Sequence, residues 1–200
     1  MITGPAQAGP VFWADGRAMA LPNIFLVGPM GAGKSAVGKQ LARMLRRDFH
    51  DSDAEVEAHT GVDIPFIFEK EGEAGFRRRE REAIDALTRL DGIVLATGGG
   101  AVLDPENRAA LASRGLVVYL EASVEQQLQR TRLSSHRPLL ETDDPAARLA
   151  RLMQERGPLY RDLAVLAVPT DGRLVREVAQ DIKRRLSAMN EEHQGNPCTR

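Results

Sequence analysis

Residues 28–35 read Gly-Pro-Met-Gly-Ala-Gly-Lys-Ser, which fits G-x-x-x-x-G-K-[ST] at every specified position. Glycine lets the backbone curl until successive N–H groups point inward, and a helix beginning at the end of the loop adds the positive end of its dipole. The result is a cradle for phosphate oxygens. Lys34 supplies a mobile charge for β and γ phosphates, and the Ser35 hydroxyl can occupy one position on Mg²⁺. The bland alternative is a glycine-rich helix entry with a solvated lysine, and eight positions with both flanks agreeing speak against it. A second pattern overlaps the first. Gly31-x-Gly33-x-x-Ala36 fits the dinucleotide fingerprint, with Asp53 twenty residues after Gly33, where an acid for ribose hydroxyls is expected. A dinucleotide loop has no use for Lys-Ser at the helix start, whereas a triphosphate loop does, so phosphoryl transfer is the stronger reading.

Phosphoryl transfer is mostly positioning and charge neutralisation. It calls for a carboxylate near the metal, cations for the moving group and an acceptor pocket. Asp51 and Asp53 stand two apart at a strand end, so in an extended chain they share one face. There Asp51 would hold Mg²⁺ through water and Asp53 would meet an acceptor hydroxyl. Aspartate is also a common N-cap, and Asp53 could instead cap a helix over residues 54–59. Glu121 ends the apolar run before it and competes with Asp51 for the metal; spacing leaves that choice open. Gly98, Gly99 and Gly100 follow a buried strand and permit close backbone approach to a ligand, where a plain turn would need only one or two glycines. Arg77, Arg78, Arg79 and Arg81 read mostly as a solvated helix face. Arg130 and Arg137 could close onto a triphosphate, while Arg156, just before Gly157-Pro158, could be a plain cation at a helix end. The four histidines (His50, His59, His136, His193) show no metal-ligand spacing.

The elements that must position these residues alternate along the chain. Ile24–Val27 is a buried apolar run between Pro22 and the glycine loop, and Val37, Leu41, Met44 and Leu45 then repeat at helical spacing. Phe49-His50-Asp51 is a weak strand signal. Residues 53–90 read as helical, broken near Gly61 and Gly72. Ile93–Ala96 is a second clear strand, 116–120 a third and 164–168 a weaker fourth. The last helix carries Leu174, Val175, Val178, Ile182 and Leu186 on one face. Strands that are solid apolar runs are covered on both sides, which implies an α/β fold with a parallel sheet between helices. Residues 134–145 hold two prolines and two serines in a stretch long for a loop without a task, and a mobile lid over about 132–145 is expected.

The chain has 200 residues, 42% hydrophobic and 28% charged, which fits one globular domain. Its 27 basic against 28 acidic side chains remove the electrostatic reason to expect a general nucleic-acid or membrane-surface binder. The lone Cys198 excludes a disulfide framework and a cysteine zinc site, and makes a reducing, cytoplasmic setting the expectation. No apolar stretch approaches the ~20 residues of a membrane helix. Residues 1–20 are broken by Gly and Pro and read as an irregular extension, with Met19 an alternative start; 21–188 reads as one domain and 189–200 as a disordered tail. A monomer is the default.

In this order the motifs resemble the shikimate kinases over roughly residues 22–187. They are Gly28–Ser35, Asp51-Ser52-Asp53, Gly72-Glu73-x-x-Phe76-Arg77-x-x-Glu80, Thr97–Ala101, Arg137–Leu140 and Arg156–Tyr160. The resemblance implies a three-layer P-loop kinase fold with about five parallel strands, acceptor-binding helices over about 52–80, and ATP-dependent phosphorylation of the 3-hydroxyl of shikimate on the route to chorismate. It implies that Gly31, Ala32, Gly33, Lys34, Ser35 and Ala36 hold the phosphates. Ser35 and Asp51 would hold Mg²⁺, which decides the contest with Glu121 for Asp51. Asp53 would bind the acceptor hydroxyls and serve as base, ionised at an ordinary pKa of about 3.9. Arg77 and Arg156 would clamp the carboxylate, with Glu80, Gly98, Gly99 and Gly100 completing the acceptor pocket. Arg137 matches the lid arginine that reaches ATP, and Arg130 and Arg173 fall where the family packs adenine.

Ala36 departs from the threonine frequent there, Pro169 lies in the adenine segment, and His136 before Arg137 has no physical account. A gluconate or nucleoside monophosphate kinase is the nearest alternative, disfavoured by the Asp-x-Asp, the Phe-Arg-x-x-Glu and the triple glycine. A nucleotide switch is disfavoured because no Asn-Lys-x-Asp guanine signature is present.

Overall fold

Asn23–Val27 forms strand β1, and all five of its residues are buried. A strand this apolar must be covered on both faces, and the side chains alternate accordingly. Ile24 and Leu26 face one core; Phe25 and Val27 face another. The computed structural model describes residues 22–131 and 144–194, with side chains to Met189. The expected N-terminal extension, Arg137 and nearly all of the expected lid therefore lie outside the described residues.

Among the described residues the sheet has five strands, all parallel, in the order β2-β3-β1-β4-β5. These are β2 (Asp48–Asp51), β3 (Ile93–Ala96), β4 (Gly115–Glu121) and β5 (Leu166–Pro169) beside β1. Helices α1 (Lys34–Leu45) and α7 (Val175–Gln194) cover one face through Val37, Leu41, Val178, Ile182 and Leu186. The other face is covered by α3 (Ile64–Thr88), α4 (Pro105–Arg114) and α6 (Pro145–Leu163), through Ile84, Leu87, Leu111 and Tyr160. Between them run α2 (Ser52–Thr60), the short 3₁₀ turn Ala101–Leu103 and α5 (Val124–Thr131). Helices α2 and α3 share a small separate core of Val56, Ile67 and Phe76, so this arm is built apart from the sheet.

Because α1 follows β1 on one face and α4 follows β3 on the other, the crevice between them opens at the carboxyl ends of β1 and β3, the usual ligand site of such sheets. The glycine loops after these two strands meet there. A Cβ placed on Gly99 would stand 3.4 Å from Met30 N and 3.5 Å from the Gly28 carbonyl.

Several local expectations are revised. Helix α2 is capped by Asp51, whose side chain accepts from the Asp53 N–H, so Asp53 does not serve as the cap. Gly157-Pro158 does not end α6: the helix continues to Leu163, with Arg156, Gly157 and Tyr160 all buried. Packing of those side chains outweighs the hydrogen bond that proline removes. The expected break near Gly72 is present: its backbone, at φ 68 and ψ −177, is not helical, and it kinks α3 into two helical segments. Helix α7 runs to Gln194, past the boundary set at 188, since no Gly or Pro interrupts it before Gly195.

Candidate active site

The loop leaving β1 turns into α1 through Gly31 at φ 76 and Gly33 at φ 89, left-handed values that favour glycine. Ala32 between them is buried, while Ser35 and Ala36 open the helix at the surface. Lys34 Nζ donates to the Gly28 and Pro29 carbonyls at 2.7 and 2.8 Å, lying across the loop it follows. Ser35 Oγ donates to Asp51 Oδ2 at 2.5 Å, while Asp51 Oδ1 accepts the Asp53 N–H. Strand order explains the pairing: β2, which ends in Asp51, and β4, which ends in Glu121, lie on opposite sides of β1. Ser35 reaches the first.

Arg130 on α5 donates to the Gly31 carbonyl at 2.9 Å and to the Thr170 carbonyl at 2.9 Å, tying the loop to the segment after β5. Arg173 lies on that segment and donates to the Pro169 carbonyl and to Asp181 Oδ2. Burial works to raise the Asp181 carboxyl, but hydrogen bonds from Arg184, Arg185 and Arg173 outweigh it and hold the group at about 2. The structure thus brings both arginines to one wall beside the phosphate loop.

A second cluster forms where α2, α3, α6 and the triple glycine converge. A Cβ on Gly98 would stand 2.5 Å from Glu80 Oε1 and 2.7 Å from Asp53 Oδ1, and one on Gly100 would collide with the Arg77 guanidinium. A side chain at 98 or 100 would therefore displace Asp53, Glu80 or Arg77 from these positions. Ser52 Oγ accepts the Gly98 N–H at 2.9 Å and fixes the start of α2 to this loop. Arg77 donates to Glu80 Oε2 at 2.7 Å and to Glu73 Oε1 at 3.0 Å. Burial would lower its pKa, but the two glutamates raise it.

The carboxyls are perturbed the other way. Burial, reinforced by the charge of Asp51 and opposed by Lys34 and Arg77, pushes Asp53 up to about 6. Burial also pushes Glu80 up to about 6, against the pull of Arg77. The ordinary acidity expected for Asp53 from its residue type is therefore corrected: desolvation within the arm makes it a far better proton acceptor.

Asp53 Oδ1, Glu80 Oε1 and Arg156 Nε are buried and find no hydrogen-bond partner among the described residues. Buried polar groups are rarely left so, and these three lie near one another: Asp53 and Glu80 both lie against Gly98, and the charge of Arg156 acts on Glu80. Two are carboxylate oxygens, which demand donors, and one is a guanidinium N–H, which demands an acceptor. A small molecule carrying hydroxyls and an anionic group supplies both.

The family model for shikimate kinase matches residues 30–187. The chain belongs to the shikimate kinase family. A shikimate kinase of Halorhodospira halophila is 60% identical over 160 residues, 80% of this chain and 90% of that protein. The solved shikimate kinase of Acinetobacter baumannii in complex with shikimate superposes with a TM-score of 0.83 at 50% identity, covering 84% of this chain and 94% of that one. A gluconokinase of Sinorhizobium meliloti, 16% identical with a TM-score of 0.57, covers 88% of this chain and 99% of its own and shares the fold alone.

Within this kinase the structure gathers Lys34, Ser35, Asp51, Arg130 and Arg173 on one side of the crevice and Asp53, Arg77, Glu80, Arg156 and Gly98–Gly100 on the other. Ser52, Tyr160 and Asp181 were given no role by sequence reading. Ser52 and Tyr160 lay inside quoted motifs, which was the available signal; Asp181 had none, since its partners come from 8 residues before and 3 to 4 after on a helix that read as ordinary amphipathic surface.

Proposed function

We propose that this kinase transfers the γ-phosphoryl group of ATP to the 3-hydroxyl of shikimate, giving shikimate 3-phosphate and ADP, a step towards chorismate. The observation that carries the reading is the trio of buried groups without a partner among the described residues, Asp53 Oδ1, Glu80 Oε1 and Arg156 Nε, beside a phosphate loop. Arg77 and Arg156 clamp the acceptor carboxylate, for which a planar guanidinium fork is suited. Asp53 and Glu80 take the ring hydroxyls. Asp53, held at about 6, is mostly ionised at neutral pH and accepts the proton of the attacking hydroxyl as the new P–O bond forms. The Gly31–Ala36 backbone and Lys34 hold the triphosphate, and Lys34 meets the charge that develops as the bond to ADP breaks. Arg130 and Arg173 border the nucleotide wall. Arg137, outside the described residues, is assigned by motif to the lid, where closure would exclude water as a competing acceptor.

For Mg²⁺ the donor set fits. Ser35 Oγ and Asp51 Oδ2 are hard oxygens 2.5 Å apart at the mouth of the loop, the kind of ligand Mg²⁺ takes beside water and phosphate. Bound there, the ion would neutralise phosphate charge. No helix among the described residues is long and apolar enough to cross a membrane. With Cys198 as its sole cysteine, the kinase fits a reducing, cytoplasmic setting, and we assign it as a monomer.

ADP release from Mg-ATP, measured with shikimate, gluconate, a nucleoside monophosphate or no acceptor, tests the reading. Turnover with shikimate alone is expected. ATP binding without shikimate-dependent turnover would overturn the acceptor assignment and leave the cradle standing.

A further inference from the structure

Tyr160 lies one turn after Arg156 on α6 and is 1% exposed. Its ring stacks on Tyr119 of β4, with centroids 5.1 Å apart and planes inclined by 22°. Its hydroxyl donates to the Gly99 carbonyl at 2.5 Å. Burial pushes the phenol pKa upward, and the nearby Arg156 guanidinium, in contact with the same hydroxyl, works against that rise. The group therefore remains a protonated donor across the whole working range of pH.

A buried phenol needs one partner for its O–H, and any carbonyl would satisfy it. The particular carbonyl is what matters. Gly99 is the middle glycine of the triple. On one side of it Gly98 lies against Asp53 and Glu80; on the other Gly100 lies against Arg77. Arg156 is carried by the helix on the far side of this bond, its Nε without a partner among the described residues. One hydroxyl thus joins the helix that holds one clamp arginine to the loop around which the other three pocket side chains pack.

We propose that Tyr160 is a positioning residue for the acceptor, its hydroxyl fixing the spacing between Arg156 on α6 and the Gly98–Gly100 loop. It touches neither phosphate nor reacting atoms, and it acts through the geometry of groups that do. The inference rests on the reading of this pocket as the shikimate site. Aligning a carboxylate clamp with a proton acceptor on one small rigid molecule tolerates little slack, since an error of about 1 Å can cost about a hundredfold.

The test is Tyr160→Phe, which keeps the ring stack and removes the bond, beside Tyr119→Phe, which removes the hydroxyl of the stacking partner near Glu121 and Arg161. Tyr160→Phe is expected to raise the KM for shikimate about tenfold, the scale of one lost hydrogen bond in a rigid site. The KM for ATP and the acid limb of kcat/KM should not move, and Tyr119→Phe should behave as the unaltered enzyme. An unchanged shikimate KM with a lowered Tm would overturn the proposal and mark the bond as purely structural, and equal rises in both KM values would overturn it as well. If the unaltered enzyme lacks turnover with shikimate, the acceptor assignment fails first; if it turns over and Tyr160→Phe matches it, only the positioning role fails.

Discussion

The phosphate loop and the proposed acceptor pocket face each other across the carboxyl ends of β1 and β3, and they are built in opposite ways. The loop is eight consecutive residues between one strand and one helix, and its polar side chains are answered by the chain itself. Lys34 rests on two carbonyls, Ser35 on Asp51, and Arg130 on the Gly31 carbonyl. The pocket draws on α2, α3, α6 and the loop after β3, and it keeps three buried polar atoms without a partner among the described residues. Phosphate recognition needs only repeated N–H groups and charge, which one loop can supply and many acceptors can share. Discrimination of one acceptor needs groups that are buried and paired only by the right molecule, and such groups cost stability.

The sharpest break of this comparison is Lys34→Ala, expected to lower kcat about a thousandfold, as for loss of a preorganised charge, while the melting temperature and shikimate binding hold. A comparable loss of shikimate affinity would mean the two regions are one. Asp53→Asn should lower kcat about a hundredfold or more and remove the Asp53 part of the acid limb of kcat/KM, expected near its raised pKa of about 6, leaving the part set by Glu80, also raised to about 6. The same substitution should stabilise the fold. Because the folded-state pKa lies above the unfolded value of 3.8, the folded protein binds the proton more tightly, and stability is lost as pH rises from about 4 to about 6. Glu80, raised from 4.5 to about 6, adds a loss of the same sign. Asparagine escapes the Asp53 share, up to about 3 kcal/mol at pH 7. A destabilised Asp53→Asn in chemical denaturation would contradict the strained-pocket side of the comparison.

Arg77→Ala should raise the shikimate KM about thirtyfold, as for loss of a charged hydrogen-bonding partner, and leave the ATP KM unchanged. An effect on ATP instead would move Arg77 to the other side of the crevice. The smallest effect belongs to the loop's outer support. Asp181, held at about 2, contributes stability above pH 3.8 that is lost as pH falls towards 2. Its Arg184 and Arg185 partners are 78% and 43% exposed, so Asp181→Asn should cost only about 1 kcal/mol in a thermal melt at pH 7. It should also raise the ATP KM modestly by freeing Arg173.

The difference between the regions also governs what could be read before the fold was known. The loop was legible in full because its chemistry is contiguous, and the apolar runs around Ile24, Ile93 and Val117 announced buried parallel strands. The roles proposed for Arg77, Arg156 and the triple glycine come through motif resemblance, while the bare pattern left Asp53 as a possible cap and Arg156 as a helix-end cation. Asp51 took the cap because it is the last extended residue, at φ −129 and ψ 122. The pattern placed the end of α6 too early because proline usually stops helices, and here buried neighbours on both sides of Pro158 carry α6 onward to Leu163.

Residue types and their spacing by themselves pointed to the phosphate loop and the parallel sheet, since each rests on interactions local in the chain or on periodicity; the family came through the resemblance of the ordered motifs. Only the tertiary structure decided that Ser35 meets Asp51, that Asp53 and Glu80 are raised to about 6, and that Tyr160 bridges α6 to Gly99. The physical reason is common to all three. Desolvation and hydrogen-bond pairing depend on which distant segments pack together, and strand order and helix placement set that packing, which no short stretch of sequence carries.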